Sequence, residues 1–101
     1  MITLQQWRDC EGQPFTLPDG NILVLESVSM PVAPDGWECF SLLFAAPCEL
    51  EQGMRTLRHP TLGEEAVFLV PLGPFGATDG AQRFEAVFNR RAAKIVRQRT
   101  E

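Results

Sequence analysis

Apolar and polar residues alternate along most of the chain with the two-residue period of β-strands. Two segments show this most clearly, because every second position is apolar (Phe40, Leu42 and Phe44; Phe84, Ala86 and Phe88). Strands with one dry and one wet face follow this pattern, so these side chains are expected in the core. Runs rich in Val, Ile, Leu and Phe predict five strands and a short additional one, at 14–17, 21–30, 38–46, 54–59, 65–72 and 83–89.

The N-terminus departs from the strand period and predicts a short helix. Thr3 followed by Gln6 fits a capping box, and Ile2 and Trp7 stand at the two positions of a hydrophobic staple. Gly12 is a stop signal for this helix. Its apolar face is expected to cover one end of the sheet.

The strands are separated by turn signals. "LPDGNI" at 17–22 and "APDGWE" at 33–38 share a Pro-Asp-Gly sequence, in which Gly accepts a positive φ. Short connections favour antiparallel neighbours, and a chain of this length forms one domain. The expected fold is therefore mainly β: a small rolled antiparallel sheet or barrel of five to six strands in meander order. It has an N-terminal helix within domain 1–89 and a basic tail at 90–101.

The segment 65–72 is apolar on both sides. Ala66, Phe68, Val70 and Leu72 share one side, and Val67 and Leu69 lie on the other. A face of this kind requires a cover, for which the N-terminal helix, the tail and a second copy of the protein are candidates. The candidate partner interface consists of Val67 and Leu69, with Ile95 and Val96 of the tail. Pro71 predicts the end of the strand, an edge or a bulge.

Charge is divided unevenly between the body and the tail. Residues 1–89 carry twelve Asp and Glu against four Arg, whereas the tail holds five of the nine Lys and Arg (Arg90, Arg91, Lys94, Arg97 and Arg99). Three interpretations of the tail remain open. The tail is a solvated terminus, or it lies across an acidic patch of its own body or of a partner subunit with its apolar stripe covering the spare face of the apolar strand, or it makes a weak contact with nucleic acid. We prefer the second interpretation.

No arrangement of reactive residues predicts catalysis or metal binding. Cys10, Cys39 and Cys48 have no metal-ligand spacing, and His59, the only histidine, precedes a proline in an expected turn. The neighbouring carboxylates at 49–51 and 64–65 lie in polar sequence beside turns. We expect no cofactor, no metal and no catalytic residues.

Several strings resemble a family of small bacterial proteins defined only as a domain of unknown function. The resemblance covers roughly residues 4–90 and is carried by "RHPTLGE", "VFLVPLGP" and "RFEAVFNR". Phe84 stands where the family usually has Tyr, and the tail is longer and more basic. The resemblance implies no activity or cofactor, and it implies a phage-tail-like protein as a partner.

We therefore expect a non-enzymatic interaction or structural protein that forms a homo-oligomer through an apolar strand face and edge. One alternative is weak nucleic-acid binding through the basic tail. Another is a small-ligand-binding barrel, with Trp37 and Phe75, in the loop 73–82, as the residues at its mouth. The absence of a long apolar run or a leader-like N-terminus predicts a cytoplasmic protein with no membrane contact.

Overall fold

The computed structural model describes residues 2–30, 34–73 and 81–91. They form a closed, all-antiparallel barrel with one short helix, which confirms the predicted fold class. The elements are α1 (Leu4–Asp9), β1 (Pro14–Thr16), β2 (Ile22–Ser29), β3 (Trp37–Ala46), β4 (Gly53–His59), β5 (Gly63–Gly73) and β6 (Gln82–Arg91).

The predicted cap and turns are present. The Thr3 hydroxyl accepts a hydrogen bond from the Gln6 amide at 3.1 Å, and the Gln6 side chain accepts one from the Thr3 amide at 2.9 Å. These two bonds satisfy amides that the first helical turn leaves unpaired. Both Pro-Asp-Gly turns place their glycine at positive φ, +92° at Gly20 and +84° at Gly36.

The strand order is β1-β2-β3-β6-β5-β4, which differs from the expected simple meander. β3 pairs with β6 along its whole length, from Trp37 opposite Arg91 to Ala46 opposite Gln82. Residues 47–52 connect β3 to a strand that is not its neighbour. A link of this length spans up to about 20 Å when extended, so a short connection does not require adjacent pairing.

The core is a cluster of rings and leucines inside the barrel. Phe40, Leu42 and Phe44 are at most 1 % exposed, as predicted. Trp7 closes one end, with its ring centroid 5.4 Å from that of Phe15. The indole Nε1 of Trp7 is buried without an acceptor among the described residues, and ring packing offsets that cost.

The two sides of β5 face opposite to the prediction, which placed Val67 and Leu69 on the outer side of the strand as part of an interface. Val67 and Leu69 lie in the core at 2 % and 0 % exposure, whereas Phe68 is 47 % exposed. A strand that is apolar on both sides does not define its own inward face, and a shift of one residue exchanges the two. Pairing with β4, whose Leu57 is buried, fixes the outcome. The predicted irregularity at Pro71 is a register shift between Pro71 and Gly73.

Candidate functional site

The barrel is weakly closed between β1 and β4. Thr16 opposite Arg58 is the single register pair that joins these strands. β1 ends at Thr16, and the chain then turns away through Pro18 and Gly20. The first half of β4 therefore has a ladder partner on its β5 side only.

A groove follows this seam. Two adjoining cavities of about 360 and 400 Å³ share Leu17, Pro18 and Thr56 as lining residues. The first extends toward Arg58, and the second extends toward Met54. One wall is thus the turn after β1, and the other is the edge of β4.

An apolar pair lies on the outer surface beside this groove. Met54 on β4 stands directly opposite Phe68 on β5. Met54 is 60 % exposed and Phe68 is 47 % exposed. Cross-strand neighbours of this kind form one contiguous apolar surface. We call these two side chains the hairpin pair.

The charged side chains at the groove differ in whether their hydrogen-bonding groups have partners. Arg58 is paired with Glu64, and the Asp19 carboxylate accepts hydrogen bonds from Asn21. Arg55 donates from Nη2 to the carbonyl of Glu51 at 2.8 Å, and its buried Nε has no acceptor among the described residues. Arg55 lines the groove, and its Nη1 makes no hydrogen bond among the described residues, so that group is the donor left for an occupant.

A second seam, between β5 and β6 and one ladder away from the first, is closed by the N-terminal segment. These strands pair only at Val70, Pro71 and Gly73 of β5. Beyond that stretch, the Ile2 amide donates to Glu65 at 2.8 Å, and Arg90 donates to the Ile2 carbonyl at 3.0 Å. Ile2 is 3 % exposed, so it fills the gap that the ladder leaves.

Arg90 is held on three sides at this closed seam. Its Nε donates to Glu38 at 2.9 Å, and its guanidinium lies 5.0 Å from the ring centre of Phe40 and 5.4 Å from that of Phe88. Stacking and a partly buried ion pair both favour a guanidinium here. β6 continues through Arg91, so Arg90 and Arg91 belong to the barrel and not to a tail that begins at residue 90.

The single histidine lies beside a cysteine, although the sequence spacing does not indicate it. His59 Nε2 is 3.7 Å from Cys10 Sγ and 2.7 Å from Gln13 Oε1. His59 Nδ1 accepts from the amides of Thr61 and Leu62, which places the ring proton on Nε2, facing the Gln13 oxygen. In this tautomer Nε2 is not a base for the thiol.

The electrostatics of Cys10 also oppose a nucleophilic role. Burial, and in second place the charge of Asp9, raise the pKa of the Cys10 thiol above its ordinary value. A thiolate is the reactive form of cysteine, so these surroundings lower the reactivity of this thiol. The part of the chain that the structure describes contains no group of three or more His, Cys, Asp or Glu residues that could hold a metal ion.

The structure separates the residues that the sequence grouped as candidate sites. Val67 and Leu69 are core residues and do not form an outer interface. Trp37 is 43 % exposed at the start of β3 and does not line the groove. Six further candidates lie outside the described residues: Phe75, Lys94, Ile95, Val96, Arg97 and Arg99.

Sequence reasoning missed the groove residues. Met54 and Arg55 were included in a predicted strand, and Leu17 and Pro18 in a turn signal, but their meeting depends on the β1–β4 closure. The available signal was the short length of the 14–17 segment, since a very short strand leaves part of its neighbour unpaired.

Among the described residues, no helix has the length and apolar character needed to cross a membrane. The family model described as Domain of unknown function (DUF6916) matches residues 2–88, which confirms the resemblance of the sequence to such a family. Comparisons with curated proteins and with solved structures give no match.

Proposed function

We propose that this chain, which belongs to that family of unknown function, is a non-enzymatic interaction protein that self-associates through the outer side of the β4–β5 hairpin. The observation that carries the proposal is the hairpin pair, Met54 opposite Phe68. Both side chains are large and outward-facing, and both are about half exposed or more.

The hydrophobic effect supports this assignment. Burial of apolar surface stabilises association by roughly 25 cal/mol per Å², and a contiguous apolar patch on a small protein commonly marks a contact surface. Exposed apolar faces of this kind are surfaces through which small β-proteins associate. A phage-tail-like protein is a further partner that the family resemblance implies.

The arrangement of reactive groups supports a role other than catalysis. Cys10 and His59 are in contact, yet the histidine donates toward Gln13 and the thiol lies in surroundings that raise its pKa. Both side chains are at most 7 % exposed. Their contacts are those of a satisfied buried cluster at the helix-capped end of the barrel.

Light scattering after size-exclusion chromatography tests the proposal over a range of concentrations. We expect a mass above that of one 11.3 kDa chain for the wild type, and a shift to monomer for Met54→Asp combined with Phe68→Asp. Val24→Ser is the matched control, because Val24 is an exposed apolar residue on β2, between β1 and β3. A wild type that stays monomeric at high concentration contradicts the proposal.

A further inference from the structure

The first half of β4, residues 53–56, has no neighbouring strand on its β1 side. Residues 53–56 pair with β5 from Gly53 opposite Leu69 to Thr56 opposite Ala66. On the other side, the ladder with β1 consists of the Thr16–Arg58 pair alone. Among the described residues, no turn or loop makes a backbone hydrogen bond to 53–56.

This edge has the geometry of a strand acceptor. In a β-ladder the N–H and C=O groups of alternate residues point to opposite sides, so two of the four residues 53–56 point toward the groove. The facing wall does not satisfy them, because Pro18 has no N–H and the Leu17 amide donates to Asn21 at 2.8 Å. The groove therefore lies where a longer β1 would continue.

The side chains that border the groove define the chemistry of an occupant. Leu17, Pro18 and Met54 provide apolar contact. Arg55 lines the groove, and among the described residues its Nη1 makes no hydrogen bond, whereas Arg58 is paired with Glu64. The Asp19 carboxylate also lines the groove and accepts hydrogen bonds from Asn21. A carboxylate beside Arg55 would accept charge-assisted hydrogen bonds, the stronger class of hydrogen bond.

We propose that the β4 edge binds an extended segment of a partner protein as an added antiparallel or parallel strand, with an acidic side chain at Arg55 and an apolar side chain against Met54. This inference rests on the proposed interaction function and adds a second surface to it. Backbone hydrogen bonds provide the affinity in this mode of recognition, and the side-chain contacts provide the choice of sequence.

Charge complementarity favours this occupant over two others. Pairing of two β4 edges from separate copies brings their Arg55 side chains close together, and like charges at adjoining positions are destabilising. The C-terminal residues 92–101 contain Lys94, Arg97 and Arg99 against a single Glu, so they are also repelled by Arg55.

Amide-resolved NMR titration of the full chain tests the inference. The probe is a short synthetic peptide that alternates valine and threonine around one central glutamate. One control peptide has lysine in place of the glutamate, and another is N-methylated on every amide so that neither of its edges can donate to a strand. The protein variants are Arg55→Met, Arg55→Lys and, as a matched control, Arg8→Met on the exposed side of α1.

We expect the glutamate peptide to shift the resonances of residues 53–56 and 17–20. The lysine peptide and Arg55→Met should each weaken binding roughly tenfold, Arg55→Lys should recover part of the loss, and Arg8→Met should leave binding unchanged. The N-methylated peptide should not bind.

Three results overturn the inference: no shifts with the glutamate peptide, equal shifts with all three peptides, or shifts confined to other strands. A shift of residues 53–56 with protein concentration alone assigns the edge to a second copy, and a shift on deletion of 92–101 assigns it to the tail. Either result also overturns it. Self-association of the Met54→Asp, Phe68→Asp variant is measured separately, so failure of peptide binding is distinguishable from failure of the proposed function.

Discussion

The two incomplete seams of the barrel are closed to different extents. Between β5 and β6 the ladder is short, but Ile2 bridges Glu65 and Arg90 and is itself buried. Between β1 and β4 the ladder is a single pair, and a groove remains beside it. A gap in a small barrel can thus be filled by the chain itself, and the gap left unfilled is where a partner finds free backbone groups.

Removal of Trp7, the residue that closes the helix-capped end of the barrel, is expected to give the largest loss of stability. Trp7 is fully buried against Phe15, Phe44 and Phe88. Trp7→Ala should lower the free energy of unfolding by about 3–5 kcal/mol, measured by urea denaturation. Trp37→Ala, at a site 43 % exposed, should cost on the order of 1 kcal/mol. Equal losses would show that the cap does not stabilise this end.

Two arginine–glutamate pairs beside the seams differ in burial. Arg90–Glu38 joins β6 to β3 beside the closed seam, with side chains 16 % and 26 % exposed, whereas Arg58–Glu64 joins β4 to β5 beside the open seam, with side chains 70 % and 50 % exposed. Arg90→Ala also removes the bond to the Ile2 carbonyl and should cost about 1.5–3 kcal/mol. Arg58→Ala should cost less than about 1 kcal/mol, because solvent screens the pair.

Denaturation curves of both variants at low and high salt check this comparison. The loss of unfolding free energy in Arg58→Ala should become smaller as the salt concentration rises, and the loss in Arg90→Ala should change little. If Arg58→Ala proved the more destabilising substitution, Arg90 would not stabilise the closed seam as we infer.

The rate of thiol labelling should also differ between two cysteines of the barrel. Cys10 is buried at the helix-capped end of the barrel. Cys48 is partly exposed in the connection 47–52, which also contains Leu50 of the groove. In a variant with Cys10 as the only cysteine, thiol labelling should be much slower than in one that retains only Cys48. Similar rates in the two variants would contradict the burial of Cys10.

The raised pKa of Cys10 also has a consequence for stability. The thiol titrates near pH 9.0 in the unfolded chain and at a higher pH in the folded one, so in that range the folded state binds more protons. The free energy of unfolding should therefore fall as the pH rises through this range. Cys10→Ala should remove this part of the pH dependence, which denaturation at neutral and alkaline pH measures. An unchanged dependence in the variant would assign the effect to other groups.

The sequence predicted the elements better than their arrangement. The cap at Thr3, the two Pro-Asp-Gly turns and the inward faces of β3 and β6 follow from local patterns, and the structure contains them. The facing of Phe68 and the pairing of β3 with β6 depend on contacts between distant segments, which a local period does not encode.

The candidate site depends on the same long-range contacts. Met54 and Phe68 look like ordinary strand residues in the sequence, and only the register of β4 against β5 places them side by side on the outside. Arg90 lies in the basic segment that the sequence assigned to a tail, yet it bonds to Glu38 and Ile2 at the closed seam.

Amide hydrogen exchange at residues 53–56, followed by NMR on the dilute full chain, shows whether the β4 edge is free. We expect protection to alternate along this stretch: amides bonded to β5 are protected, and amides facing the groove exchange nearly as fast as in an unfolded chain. Amides of β3 along the β6 ladder, such as that of Leu42, should be slow throughout. Uniform protection of all four amides would mean that the β4 edge is already covered, which is the opposite of what we infer.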